Sequence, residues 1–277
     1  MKVLVTGAYG NLGKTVCVAA IKRGLSVIPV GREEFNDIEK YISDADFVVH
    51  AAGNINESFF ENPARFTYDN MGVTADLLAA CKRSSVKKLF FVSSCAVYGH
   101  SAKCEESLPA TPTNLNGYFK NVSEEMIISF CQEHSIDFCC FRLFNLYGGV
   151  DNFSIVERLI KSIAKKEFFY LRNEGKSFRD FIHVNDAANI IVNALSLINL
   201  PPIINVGTGM ATSIDKLVNF VRKEYGEINI IKVFDPEVNY SRADITLLTD
   251  LFGQLDFRSV FSYIDERVLQ ELAAGDD

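Results

Sequence analysis

The sequence predicts an α/β fold: a doubly wound parallel sheet with a smaller C-terminal lobe. Three observations predict it. Short apolar runs alternate with helical patterns through the first half of the chain. The first run, Lys2 to Val5, passes into a helix through Gly7, Gly10 and Gly13. After about residue 145 the alternation loosens into shorter, mixed segments. Strict strand–helix alternation implies right-handed crossovers and helices on both faces of a parallel sheet.

Strand patterns fall at 2–6, 26–30, 46–51, 88–93 and 136–142, with helical patterns at 12–23, 37–43, 63–83 and 117–134 between them. Further on, helices are expected at 153–165, 184–198 and 213–225, and strands at 168–171, 203–206 and 228–233. The first domain is therefore expected over 1–145, with contributions from 175–205, and the smaller mixed lobe over 146–277. No internal repeat or low-complexity linker interrupts the 277 residues, which can bury a substantial core.

A hydrophobic content of 48% and a charged content of 23% are ordinary for a globular chain. The net charge of −7 excludes sequence-independent nucleic-acid binding, which needs a basic face, but leaves anionic small molecules open. No apolar run approaches the roughly 18–20 residues of a membrane span. The seven cysteines (17, 81, 95, 104, 131, 139 and 140) lack paired metal-ligand spacing, so no metal site is expected. Most sit within apolar patterns and read as buried free thiols. With no secretory leader before the first strand, a cytoplasmic protein is expected.

The glycines have separable tasks. Gly7 makes the turn, Gly10 lets a ligand approach the backbone, and Gly13 lets helix and strand pack closely. A helix start of this kind holds a pyrophosphate with free N–H groups and its positive dipole end. A second strand at 26–30 supplies the context that makes this a Rossmann-type dinucleotide site. That strand ends Pro29-Val30-Gly31-Arg32 with no acid at its tip. An acid there suits the ribose 2′-OH of NAD, and an arginine suits the 2′-phosphate of NADP. Arg32 therefore favours NADP, with NAD as the alternative because Glu33 and Glu34 follow.

Val92-Ser-Ser-Cys-Ala-Val-Tyr-Gly99 ends a buried strand, and Pro112-Thr-Asn-Leu-Asn-Gly-Tyr-Phe-Lys120 follows, with Glu124 beyond. With Asp46-Phe-Val-Val-His-Ala-Ala-Gly53, Asn70, Phe144-Asn-Leu-Tyr-Gly148, Arg179-Asp-Phe-Ile-His-Val184, Asn205-Val-Gly-Thr-Gly209 and Arg242, the chain resembles the extended short-chain dehydrogenase/reductases. These form the NAD-dependent epimerase/dehydratase group acting on nucleotide sugars. The resemblance implies cofactor contacts from Gly7, Tyr9, Gly10, Asn11, Leu12, Gly13, Arg32, Asp37, Ile38, Ala51, Ala52, Gly53, Asn70 and Lys120. It implies substrate contacts from Asn145, Arg179 and Arg242. Two arginines suit a diphosphate because a guanidinium presents a planar fork of donors. The lobe over 146–277 would then bind a nucleoside-diphosphate sugar, and the long helices at 63–83 and 117–134 would pair into a homodimer.

Family members act through a Ser or Thr, a Tyr, and a Lys four residues after the Tyr. The hydroxyl orients the substrate oxygen, the Tyr moves a proton, and the Lys lowers the Tyr pKa and holds the nicotinamide ribose. Here Ser94 and Lys120 fill the outer places, but Asn116 stands where the tyrosine belongs. Asn has no proton to exchange near neutral pH. Tyr118 is the only nearby substitute, and on a regular helix it lies about 200° from Asn116 and Lys120. An irregular first turn would bring it round. The acidic pair of the dehydratases is replaced by Cys95 and Ala96, so 4,6-dehydration is not expected. The leading expectation is an NADP-preferring reductase of a 4-keto nucleotide sugar. The alternatives are a nucleotide-sugar 4-epimerase and a weak or inactive binding protein on the same scaffold.

Overall fold

The computed structural model describes residues 1–54, 59–101, 103–234 and 240–274. In chain order the first half contains β1 (Lys2–Thr6), α1 (Asn11–Lys22), β2 (Ser26–Val30), α2 (Ile38–Ile42) and β3 (Phe47–His50). Next come α3 (Pro63–Thr67), a π-helical turn (Tyr68–Gly72), α4 (Val73–Cys81), β4 (Lys88–Ser94), α5 (Leu115–His134) and β5 (Asp137–Leu143). The second half runs β6 (Asn145–Tyr147), α6 (Ile155–Ala164), β7 (Phe169–Arg172), β8 (Phe178–His183), α7 (Val184–Ala194) and β9 (Ile203–Val206). It continues with β10 (Ala211–Ser213), α8 (Ile214–Tyr225), β11 (Ile230–Val233), β12 (Tyr240–Ser241), α9 (Thr246–Phe252) and α10 (Val260–Ala274).

The main sheet has the order β2-β1-β3-β4-β5-β9, and every pairing in it is parallel. Strand order reverses between β1 and β3, and a crevice opens at the carboxyl ends of strands where this happens. Alternate side chains of each strand enter opposite layers. Val3, Val5, Phe90 and Phe141 pack under α1 and α7, whereas Leu4, Val48, Leu89 and Phe91 pack under α4 and α5. Cys139 and Cys140 divide between the two layers as a strand's alternation requires, and all seven cysteines are free thiols.

The later part of the chain contributes to both bodies. Strand β9 and helix α7, from within 175–205, join the main sheet and its core, and α9 adds Leu248 to the same layer. The smaller lobe has its own core, in which Val156 and Ile160 of α6, Leu217 and Val221 of α8, and Ile264 and Val268 of α10 are buried. Its strands gather around β8, which pairs with β6, β10 and β12, while β7 pairs with β11.

Several differences from expectation have local causes. The helix expected at 63–83 is interrupted by the π-helical turn, which is often a mark of a functional site. Helix α7 stops at Ala194 rather than 198. Strands β6, β10 and β12 have two or three residues each, too few for any periodicity to register. Helix α10 did carry a signal: Val260, Tyr263, Ile264 and Val268 repeat at helical spacing and are buried.

Candidate active site

Helix α1 follows its N-cap, Gly10, with no side chain capping it, so its first N–H groups are open to a ligand. Gly7 takes a φ of +66°, and a Cβ there would lie 2.8 Å from the Ala52 nitrogen. The turn after β1 thus sits directly against Ala51 and Ala52 at the end of β3. A Cβ on Gly13 would fall 2.1 Å from the Gly7 carbonyl, which fits its close-packing task. Leu12 is buried in the core, so only its backbone is offered to a ligand. Asn11 turns its side chain to the other lobe: it donates to the Gly148 carbonyl (2.9 Å) and accepts from the Val150 N–H (2.8 Å).

A cleft of ≈ 530 Å³ opens beside this turn, and Tyr9, Gly10, Arg32, Gly53, Asp69 and Arg65 are among its walls. Asp37 and Ile38, expected as cofactor contacts, are not among its lining residues. Ile38 faces the core and Asp37 is exposed elsewhere, while Phe35 and Asn36, from the turn just before, take the wall position. Glu34 accepts from the Gly31 N–H (3.0 Å) and the Tyr9 hydroxyl (3.2 Å), closing the β2 end of the cleft. Arg32 is not free-standing: its Nη2 lies 3.0 Å from Asp69 Oδ2.

The other end of the cleft is held by polar side chains. Asn70 donates to the carbonyls of Asn54 and Phe66 and accepts from the Asn54 N–H, each at 3.0 Å. Behind it lies a buried chain the sequence did not announce. Thr6 Oγ1 lies 2.7 Å from His50 Nδ1, and His50 Nε2 lies 3.0 Å from Thr74 Oγ1. Thr74 in turn donates to Ser123, which donates to the Asn70 carbonyl. This order of donors makes Nε2 the protonated nitrogen, and burial, with Lys120 nearby, pushes the His50 pKa down to about 3.

Helix α5 carries the reactive face. Asn114 caps it by accepting from the Gly117 N–H at 2.9 Å, so the helix is regular from its first turn. A Cβ on Gly117 would lie 2.4 Å from the Ala96 carbonyl. The bare glycine lets the helix start press against the turn that follows Ser94. Ser94 accepts from the Ala96 N–H (3.2 Å) and stands at the carboxyl end of β4. The Lys120 ammonium donates to the Val92 carbonyl at 2.8 Å and lies 4.7 Å over the Phe91 ring. A Cβ on Gly53 would be 3.5 Å from both Lys120 Nζ and Asn70 Oδ1, which puts the lysine at the cleft. Burial is the main cause that lowers the Lys120 pKa, to about 8, against the pull of Glu124.

Asn116 is half-buried one turn before Lys120 on the same face. Tyr118 is 53% exposed on the opposite side of the regular helix. The structure thus brings Ser94, Asn116 and Lys120 to one face and leaves Tyr118 out of it. Cys95 has its thiol beside the Ser241 hydroxyl (3.7 Å), and burial raises its pKa, so it is a poor proton donor.

In the smaller lobe Asn145 donates to the Asp180 carbonyl (2.9 Å). Arg179 is half-buried on β8 and pairs in register with Ser241, which puts it next to the exposed Arg242. Arg242 follows the end of β12 and lines a small pocket with Lys103, Glu105 and Asp244. The organising residue there is Asp180. Its buried carboxylate accepts from the Thr208 N–H (2.9 Å) and hydroxyl (2.6 Å), the Gly209 N–H (2.9 Å) and the Ala243 N–H (3.1 Å). It fastens both turns to β8. His183 packs between Tyr147 and Tyr263 and caps α7, and burial lowers its pKa to about 4.

A family model described as NAD dependent epimerase/dehydratase family matches residues 3–207. The chain belongs to this family. A UDP-glucose 4-epimerase of Oryza sativa subsp. japonica is 31% identical over 263 residues, 82% of this chain and 70% of the relative. A putative UDP-glucose 4-epimerase of Methanocaldococcus jannaschii is 27% identical over 253 residues, covering 81% and 82%. Among solved structures, MoeE5 in complex with UDP-glucuronic acid and NAD superposes with a TM-score of 0.89 at 21% identity, over 99% of this chain and 100% of that one. That likeness establishes the Rossmann-type fold.

Proposed function

We propose that this protein binds NAD and a nucleoside-diphosphate sugar and acts as a 4-epimerase at the sugar ring. The observation that carries the reading is the docking of α5. With Gly117 against Ala96, Ser94 and Lys120 converge on the end of the cleft walled by Gly53 and Asn70. The fit of a dinucleotide rests on the uncapped start of α1, the Gly7 turn and the adjoining cleft. NAD, when bound, supplies the hydride acceptor and returns the hydride. The chain's own residues do the rest. The α1 N–H groups would hold the pyrophosphate, and Lys120 and Asn70 would hold the nicotinamide ribose. Ser94 would orient the C4 oxygen, and Arg179 and Arg242 would take the diphosphate. Asn116 would donate a hydrogen bond to that oxygen but cannot take its proton, which would leave through water to solvent.

NAD is preferred to the NADP expected from the strand tip, because Arg32 is engaged by Asp69 and MoeE5, a solved fold-mate, is a complex with NAD. Epimerisation is preferred to the expected 4-keto reduction because the named relatives are mostly 4-epimerases. Incubation with NAD and UDP-glucose, followed by chromatography, should yield UDP-galactose. NADPH-dependent reduction of a 4-keto sugar without epimerisation would restore the reductase. Asn116 itself favours a second reading, a binding protein with lost chemistry. Tight binding of both ligands by calorimetry with no turnover of any UDP-sugar would select it.

A further inference from the structure

The β2 tip lacks the acid that normally meets a ribose 2′-OH, yet a carboxylate reaches this end of the cleft from across it. Asp69, in the π-helical turn, is 7% exposed and lines the cleft with Gly31 and Arg32. Its Oδ1 is 2.8 Å from Arg65 Nε, and its Oδ2 is 3.0 Å from Arg32 Nη2 and 3.1 Å from Asn54 Nδ2. The arginines that cover it are open to solvent, at 64% and 40% for Arg32 and Arg65. Glu34 cannot serve instead, being turned to Gly31 and Tyr9.

We infer that Asp69 sets the cofactor preference: it withholds Arg32 and places a buried negative charge at the ribose end of the cleft, admitting a 2′-hydroxyl and opposing a 2′-phosphate. The inference rests on the cofactor reading above. To grip a 2′-phosphate, Arg32 has to leave Asp69, stripping a buried carboxylate of one charged partner and bringing a second anion beside it. Both effects act against the phosphate and neither against a hydroxyl.

NADH and NADPH are titrated into the wild-type chain, Asp69→Asn, Arg32→Ala, Glu33→Gln and the Asp69→Asn/Arg32→Ala double variant, each checked by its melting transition. The wild type is expected to favour NADH, and Asp69→Asn to shift the affinity ratio toward NADPH by about tenfold. Arg32→Ala alone should weaken NADPH less than about threefold, since the guanidinium is already engaged, yet in the double variant it should remove the gain. An unchanged ratio in a folded Asp69→Asn, or a shift produced by Glu33→Gln instead, overturns the inference. If Asp69→Asn does not fold, Arg32→Ala decides, and a tenfold loss of NADPH affinity overturns it. A wild type that binds neither dinucleotide fails the cofactor reading itself, and this inference with it; one that binds both, with a ratio Asp69 does not move, fails the inference alone.

Discussion

Arg142 and Glu124 form a doubly bonded ion pair sealed within the protein, with Nη2 2.8 Å from Oε2 and Nε 3.1 Å from Oε1. Both side chains are withdrawn from solvent, at 4% and 2% exposure. Ser93 joins Glu124, Arg142 lies 4.7 Å over the Tyr98 ring, and the Tyr98 hydroxyl donates to Asn205 at 2.8 Å. Glu124 is one turn beyond Lys120, and Ser93 is the neighbour of Ser94. The pair therefore clamps the reactive face of α5 to β4 and β5. Arg142→Met should cost roughly 3–5 kcal/mol by leaving a buried carboxylate alone. Chemical denaturation should show Glu124→Gln/Arg142→Met recovering part of that loss.

Asn116, one turn before Lys120, gives the sharpest kinetic test. Asn116→Tyr should raise epimerase turnover by about 10²-fold, the scale of one positioned proton donor. Tyr118→Phe should leave turnover within about twofold, because the hydroxyl faces away from Ser94. A large loss from Tyr118→Phe would mean that the helix start rearranges when substrate binds.

Lys120 should mark the pH dependence. Its folded pKa, about 8, lies below the ordinary 10.5, so burial penalises the charged form. Below pH 8 both folded and unfolded chains are charged there and the penalty is constant. Between pH 8 and 10.5 the unfolded chain holds the extra proton, so rising pH stabilises the fold. Melting curves of Lys120→Met should thus run above wild type at pH 7, and the difference should shrink above pH 8.

On assembly, we propose a two-fold dimer through α5 and α4. Leu115, Tyr118 and Val122 make an apolar stripe at helical spacing on α5, exposed by 40%, 53% and 42%. In this reading Tyr118 would serve the interface rather than catalysis. Sedimentation at micromolar concentration should show a dimer that Val122→Glu dissociates, and a monomeric wild type would remove the proposal.

The main sheet was legible because each of its strands is a short, mostly apolar run flanked by helix signals, from Lys2–Thr6 to Ile203–Val206. The glycine tasks followed from local geometry, and Lys120 and Asn116 were placed by the resemblance to the family. Other features depended on distant partners. Arg32 read as a phosphate ligand because nothing local shows Asp69, 37 residues on, taking hold of it. Asp37 and Ile38 lie outside the lining of the cleft, beyond a turn whose length no periodicity reveals. Asp180 and His50 looked like ordinary strand residues, since their importance lies in four donors and two hydroxyls from elsewhere.

The two bonds of Asn11 have a mechanical consequence. By gripping Gly148 and Val150, this side chain pins the glycine turn to the point where the chain leaves the main sheet for the second lobe. Tyr147 sits beside His183 at the pinned end of β8, and Arg179 lies four residues back along the same strand. At roughly 3.3 Å per residue that is a lever arm of about 13 Å. A hinge at this pinned corner would swing Arg179, at the far end of β8, further than the glycine turn. A ligand held near Arg179 could then exchange while one held at the glycine turn kept its seat.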